Sequence, residues 1–246
     1  MIPKVIHYCW FGRNPLPESA QKCIASWKKF LPDYEIKEWN EENFDVNIIP
    51  YTKEAYEAKK YAFVSDYARF WILYHYGGMY FDTDVEIIKP MDDIIAHGPF
   101  MGIELIGVDG LPLVNPGLGL GTECNNDFYN KILEYYKNQQ FMNGDGSLNQ
   151  TTVVTRVTGV LKKAGLEATP AIQQVDNIWI YPADYFNPLD SLTGRLKFTE
   201  NTRSIHWYMD SWSDNSSLHC WLSKMSHRVF GLKLHVLKEW IKSLSK

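Results

Sequence analysis

Three features that would each point to a particular class of protein are missing from this sequence. It contains no uninterrupted apolar run of about 18 residues, so it predicts no membrane-spanning helix. Its 25 Lys and Arg do not outnumber its 29 Asp and Glu, and the net charge of −4 argues against a nucleic acid as the main partner. Its four cysteines form no Cys-x-x-Cys pair, which argues against a zinc knuckle or a disulfide scaffold and favours reduced thiols.

The N-terminal segment also lacks the pattern of a signal peptide. Its apolar run is interrupted by His7 and is followed by Gly12 and Pro15. We therefore expect a cytoplasmic protein.

The chain is long and apolar enough to bury a large core. It has 246 residues, of which 45% are hydrophobic, and no low-complexity linker divides it. Residues 4–10 and 34–39 each predict a strand, with a helix between them, and residues 53–76 predict the longest helical stretch, as one helix or two. This order predicts an α/β fold in a single domain, residues 1–246, that ends in an amphipathic helix at about 219–246.

The segment "MYFDTDVEIIKP", which follows Gly77 and Gly78, places two carboxylates two residues apart. We expect a strand that continues past Asp82 and Asp84, so that both side chains project to one side and Thr83 to the other. Paired carboxylates favour a hard divalent cation whose remaining ligands come from water or substrate phosphates. A polar turn between two strands is the alternative interpretation of an isolated Asp-x-Asp.

A second charged pair lies upstream, on the predicted helix. Asp66 and Arg69 share one face of that helix, and Phe70 and Leu73 make the face apolar. Charged residues on a buried face are uncommon unless they are paired or used. The pair is therefore either a structural ion pair or a group that contacts a polar ligand beside the aspartates.

Together these residues resemble the signature of a known enzyme family. The block from Ser65 to Asp84, S-D-x-x-R-x-x-x-L-x-x-x-G-G-x-Y-x-D-x-D, is similar to that of glycosyltransferases with a DXD motif. It is most similar to family 32, which includes bacterial capsular polysaccharide transferases and yeast mannosyltransferases. The opening "IPKVIHYCWFG" and the late "SIHWYMDSW" also resemble segments of these enzymes. The resemblance implies a GT-A fold, a Rossmann-like mixed sheet flanked by helices.

The resemblance also implies roles for individual residues. Asp84 and Asp82 would bind Mn²⁺ or Mg²⁺, with His206 as the candidate third ligand and Asp210 as the fallback. The implied catalytic residues are Asp66, Arg69, Asp82 and Asp84. The implied donor-binding residues are His7, Trp10, Asp66, Arg69, Tyr80, Asp82, Asn115, Ser211 and Trp212.

The activity implied by the resemblance is a retaining, metal-dependent transfer of a hexose from a nucleotide sugar. UDP-hexose is the favoured donor, and the acceptor is a saccharide or a lipid-linked saccharide in the synthesis of bacterial surface polysaccharide, such as capsule. The basic amphipathic segment 219–246 is either packed on the domain with a solvated basic face or in peripheral contact with the inner face of the cell membrane.

Two other classes of protein are the alternatives. A haloacid-dehalogenase-type phosphatase also ends an apolar strand in Asp-x-Asp, but its motif lies near the N-terminus, and Glu86 stands here where Thr or Val is usual. A non-catalytic sugar- or metal-binding module would need neither the Asp66–Arg69 pair nor a nucleotide platform.

Overall fold

The computed structural model describes residues 1–107, 110–169, 171–190 and 194–208. Within these ranges there are nine strands: β1 (Val5–Cys9), β2 (Glu35–Trp39), β3 (Gly78–Tyr80), β4 (Val85–Ile87), β5 (Phe100–Ile106), β6 (Pro112–Thr122), β7 (Gln173–Val175), β8 (Ile178–Tyr181) and β9 (Ser204–His206). The same ranges contain seven helices: α1 (Glu18–Phe30), α2 (Pro50–Glu57), α3 (Tyr61–Tyr76), α4 (Asp92–His97), α5 (Asp127–Lys137), α6 (Val153–Lys163) and α7 (Ala183–Phe186). Every one of these helices is too short or too polar to cross a bilayer.

Seven of the described strands form a central mixed sheet in the order β2-β1-β3-β6-β5-β8-β7. The pairs β1–β2, β1–β3 and β5–β8 are parallel, whereas β6 runs antiparallel to both β3 and β5. One cluster of buried apolar side chains includes residues of α2, α3, α5 and α6, and a second includes residues of α1, α4 and α7. The predicted α/β fold with a mixed sheet flanked by helices is therefore confirmed.

Helix α1 connects the parallel strands β1 and β2 and also fixes the position of β4. Its buried residues Ala20, Cys23 and Trp27 recur at helical spacing, and α1 packs against β4. The indole of Trp27 is fully buried, and its Nε1 donates a hydrogen bond of 2.7 Å to the carbonyl oxygen of Val85. The segment that follows the two aspartates is thus anchored to α1.

The long helical stretch consists of two helices, α2 and α3. Lys59 lies between them with φ of 57°, a left-handed conformation that an α-helix does not continue through. Helix α3 ends at Gly77, whose φ is 63° and whose N–H donates to the carbonyl oxygen of Leu73. A side chain at Gly77 would meet the backbone nitrogen of Cys124, so glycine suits this position on both counts.

The expectation of one strand running through Asp82 and Asp84 is wrong. Strand β3 ends at Tyr80, and the chain then turns, with the N–H of Val85 donating to the carbonyl oxygen of Asp82 at 3.0 Å. Asp is depleted in strands, and the side chains of Asp and Thr bond readily to nearby backbone in turns. Strand β4 then leaves the central sheet and pairs with β9. The polar-turn alternative describes this segment correctly.

Residues 209–246 lie outside the described part of the chain. This range includes Asp210, Ser211 and Trp212 and the predicted helix at about 219–246. Those assignments, and the single domain over residues 1–246, stay predictions.

Candidate metal and donor site

The turn after β3 and the ladder between β4 and β9 bring three predicted metal ligands together. Val85 lies opposite His206 in the antiparallel ladder, and the N–H of Trp207 donates to the carbonyl oxygen of Asp84 at 3.0 Å. Ligand atoms of Asp82, Asp84 and His206 all lie within 4.8 Å of one another. Two carboxylates and one imidazole are a suitable donor set for Mn²⁺ or a similar divalent cation.

The environment of His206 favours positive charge. Its Nε2 lies 3.1 Å from Oδ1 of Asp84, while its buried Nδ1 has no hydrogen-bond partner within the described ranges. Burial alone would lower the pKa of His206, but the charges of Asp84, Asp82 and Glu104 outweigh burial and raise that pKa above its ordinary value. The cluster therefore has a surplus of negative charge that a bound cation would offset.

The charged pair on α3 is connected to the aspartates. Nη2 of Arg69 lies 3.0 Å from Oδ1 of Asp66 and 3.3 Å from Oδ1 of Asp82. Asp66 and Arg69 are only 7% and 3% exposed, so this ion pair is buried in the protein. The guanidinium also lies over the ring of Tyr80, 4.8 Å from its centroid, and the Tyr80 hydroxyl donates to Oδ1 of Asp82 at 3.0 Å. The pair is both a structural ion pair and a neighbour of the candidate metal site.

Burial and charge act in opposite directions on this pair. Burial raises the pKa of Asp66 to about 7, although the charge of Arg69 acts against it. Burial would lower the pKa of Arg69, but the carboxylates of Asp82 and Asp66 and the hydroxyl of Tyr80 raise it above its ordinary value. Arg69 is therefore a permanent positive charge beneath the aspartates.

An irregular stretch of β6 lies beside Asp82. Met101 pairs with Leu120, but Gly102 pairs with Asn115, so residues 116–119 have no partner on β5. The N–H of Asp82 donates to the carbonyl oxygen of Gly117 at 3.2 Å, and the N–H of Gly117 donates to Oδ1 of Asn115 at 2.7 Å. A Cβ atom at Gly117 would overlap Oδ2 of Asp82. Glycine at this position leaves room for the aspartate side chain.

Replacing Gly117 with Ala is expected to reduce the site's activity without unfolding the chain. The φ of Gly117 is not in the left-handed region, so the effect comes from displacement of the Asp82 carboxylate rather than from backbone strain. A displacement of about 1 Å can cost about 100-fold in rate. The measurement is metal-dependent donor hydrolysis, with Gly159→Ala as the control because a Cβ at Gly159 meets nothing within 4 Å. Equal activity in the two variants would contradict this assignment.

The other residues that were predicted to bind the donor do not all lie beside the aspartates in the described structure. Asn115 is 8% exposed and faces Gly117, as described above. Trp10 is half-buried, and its Nε1 donates to the carbonyl oxygen of Asn14 at 2.6 Å, so its role as a base platform stays a prediction. Ser211 and Trp212 belong to the residues without a structural description.

The structure does not bring His7 to the aspartates. Its ring is 2% exposed, with Nδ1 accepting from Nε1 of Trp39 and Nε2 facing the carbonyl oxygen of Gly77, both at 3.0 Å. Because the indole N–H can only donate, the proton of the neutral imidazole lies on Nε2 and is donated to Gly77. Burial lowers the pKa of His7 to about 4. His7 is a buried histidine with both ring nitrogens bonded.

One residue at the site was not predicted from the sequence. Glu104, at the end of β5, accepts hydrogen bonds from Nδ2 of Asn115 at 3.2 Å and from the hydroxyl of Tyr208 at 3.1 Å. No motif marks this glutamate, because its position depends on an irregularity in the pairing of β5 with β6. The one feature of the sequence that could have indicated Glu104 is that it is a single acidic residue near the end of an apolar strand.

Comparison with known proteins agrees with this geometry. Residues 17–101 match the family model described as "Glycosyltransferase sugar-binding region containing DXD motif". Inositol phosphoceramide mannosyltransferase 1 of Schizosaccharomyces pombe is 32% identical over 111 residues, which cover 41% of this chain and 33% of that protein. An uncharacterized glycosyltransferase, L373, of Acanthamoeba polyphaga mimivirus is 25% identical over 195 residues, 76% of each chain.

Among solved structures, the PaToxG glycosyltransferase aligns with a TM-score of 0.48 at 18% identity, covering 66% of this chain and 69% of that one. The chain spans only about a third of the length of the fungal mannosyltransferases that it matches.

The site and the fold define a mixed α/β protein whose DXD carboxylates cluster with His206, the architecture expected of a GT-A glycosyltransferase. Residues 17–101 are similar to the sugar-binding region of DXD-containing glycosyltransferases. The resemblance found in the sequence is thereby confirmed.

Proposed function

We propose that this chain is a metal-dependent, retaining glycosyltransferase that moves a hexose from a nucleotide-sugar donor to a saccharide or lipid-linked acceptor. The observation that carries the proposal is the convergence of Asp82, Asp84 and His206 within 4.8 Å beside the buried Asp66–Arg69 pair. The matching family model supports this activity over a phosphatase or a non-catalytic binding module.

The chain's own residues fix the aspartates before a donor arrives. Arg69 reaches both oxygens of Asp82, at 3.3 Å to Oδ1 and 3.4 Å to Oδ2, and Tyr80 donates to Oδ1. Ligands that are already in place need not reorganise when a bound cation meets the negative charge of a leaving group. A divalent cation held by Asp82, Asp84 and His206 would neutralise the charge on the departing diphosphate.

The proposal also concerns the chemical identity of the donor and of the acceptor. The sequence favours a UDP-hexose, while the names of the fungal relatives add mannose to the sugars to be tested. Those relatives are named for inositol phosphoceramide, which supports a lipid-linked acceptor. The role in bacterial surface polysaccharide, the cytoplasmic location and the membrane contact of residues 219–246 stay predictions.

The proposal is tested by nucleotide-sugar hydrolysis in the absence of an acceptor. UDP-glucose, UDP-galactose and GDP-mannose are each incubated with the protein and Mn²⁺, Mg²⁺ or a chelator, and the released nucleoside diphosphate is measured. We expect release from at least one donor with a metal and none with the chelator. A protein that neither hydrolyses nor is thermally stabilised by any of the donors with either metal would overturn the proposal.

A further inference from the structure

We propose that Glu104 is a specificity-determining residue of the candidate donor site, and that its carboxylate accepts hydrogen bonds from sugar hydroxyl groups. The inference rests on the proposed transferase function and extends it to a residue outside the DXD signature. The sugar is either the transferred hexose or the acceptor, and the experiment below distinguishes the two.

A bulge in the sheet aims Glu104 out of the regular ladder. Ile103 pairs with Val114 and Leu105 pairs with Leu113, so no residue of β6 lies opposite Glu104 in the ladder. Such bulges redirect a side chain and are over-represented next to active sites. Glu104 is half-buried, whereas Leu105 and Ile106 after it are exposed, so the carboxylate lies where the strand reaches the surface.

The carboxylate is held firmly but is not saturated. Oε2 accepts from Nδ2 of Asn115, and Oε1 accepts from the hydroxyl of Tyr208. Asn187 supports this arrangement, because its Nδ2 donates to the Tyr208 hydroxyl at 2.7 Å and to the Glu104 backbone oxygen at 2.9 Å. An ionised carboxylate has about four acceptor positions, so its two hydrogen bonds to residues within the described ranges leave capacity for a ligand.

Both partners of Glu104 connect it to the candidate metal site. The ring of Tyr208 lies 4.2 Å from that of His206, centroid to centroid. On the other side, Asn115 accepts from the N–H of Gly117, whose backbone contacts Asp82. The backbone of Tyr208 is left-handed, with φ of 49°, a conformation that bulky residues adopt only where their surroundings enforce it. Two short chains of contacts, one through Tyr208 and one through Asn115 and Gly117, therefore connect Glu104 to the candidate metal ligands.

The charge of Glu104 decides which part of a ligand it can face. A carboxylate repels the phosphates of a nucleotide, so it faces a part of the ligand that carries neutral hydrogen-bond donors. Sugar hydroxyls are neutral donors, and a hydrogen bond to a charged acceptor is about twice as strong as one between neutral groups. The chemistry that fits Glu104 is thus a hydroxyl-bearing sugar ring.

The test is the isosteric variant Glu104→Gln, assayed with the donor and metal that the wild-type protein hydrolyses. We expect kcat/KM to fall about tenfold or more, because a lost charge-assisted hydrogen bond is worth about 1.5–3 kcal/mol. Loss in both hydrolysis and transfer assigns the hydroxyls to the transferred hexose. Loss in transfer alone assigns them to the acceptor. Binding of the nucleoside diphosphate with metal, measured by calorimetry, is expected to stay within about twofold.

Glu38→Gln is the matched control. Glu38 likewise accepts from a tyrosine hydroxyl, that of Tyr8, and from the amide of Asn40, but it lies on β2 at the far edge of the central sheet. Tyr208→Phe removes one support of Glu104 and is expected to reproduce part of the loss if Glu104→Gln is too unstable to assay. Wild-type kinetics in Glu104→Gln, with wild-type protein active, would overturn this inference. An inactive wild-type protein would instead overturn the proposed function.

Discussion

Replacing Asp84 with Asn is expected to reduce metal-dependent donor hydrolysis by about 100- to 1,000-fold while the chain still folds. Asp84 lies in a turn, and its carboxylate faces His206 at the point where β4 meets β9. The amide of Asn cannot supply the negative charge that a divalent cation requires of its ligands. The measurement is hydrolysis rate against Mn²⁺ concentration, together with calorimetric metal binding in the presence of nucleoside diphosphate.

The control for this substitution is Asp33→Asn. Asp33 is exposed and pairs with Lys4 at 3.4 Å on the surface, so its loss is expected to change neither activity nor stability appreciably. Thermal unfolding without metal shows whether Asp84→Asn has retained its fold. Full metal-dependent hydrolysis by a folded Asp84→Asn protein would exclude Asp84 from the metal set.

The second large effect is expected at Arg69, and two substitutions separate its two roles. Arg69→Ala leaves the carboxylates of Asp66 and Asp82 without their counter-charge, one of them deeply buried, and is expected to lower the free energy of unfolding by about 3–5 kcal/mol. Arg69→Lys keeps the charge but loses the planar fork that reaches both aspartates. We expect Arg69→Lys to fold and to lose about 100-fold in donor hydrolysis.

Arg203→Lys provides the comparison for Arg69→Lys. Arg203 pairs with Asp93 at 2.7 Å, a contact in which the aspartate is exposed, so the same change there is expected to leave hydrolysis intact. Chemical denaturation gives the stability of each variant, and initial rates at saturating donor give its turnover. If Arg69→Lys retains wild-type turnover, the pair with Asp66 and Asp82 is purely structural.

Local patterns in the sequence predicted the parts of the site that depend on one element or one signature. The spacing of Asp66 and Arg69 on one helical face predicted that they would meet, and they do so on α3. The pairing of Gly77 and Gly78 after an apolar helix predicted where α3 ends. The Asp-x-Asp after β3 predicted clustered carboxylates. Two side chains separated by one residue stay close whether the backbone forms a strand or a turn.

Features that depend on pairing between distant strands could not be predicted in the same way. The gap in register that places Gly117 against Asp82, and the bulge that exposes Glu104, arise from how β5 meets β6. Strand β1 is apolar on both faces, so its sequence does not reveal that His7 points to Trp39 rather than to a ligand. The turn at Asp82 was only the alternative interpretation, because the apolar residues on either side suggested one continuous strand.

The division of the site between distant strands has a consequence for how the protein is made. Residues 17–101 contain both aspartates, yet β4 pairs with β9, and β3 has β6 as one of its two neighbours. A nascent chain of about a hundred residues would therefore expose unpaired strand edges, which favour association with other chains. His206 joins the aspartates only after most of the chain has left the ribosome. The sugar-binding region is thus continuous in sequence, but its strands have all their partners only when the chain extends to β9.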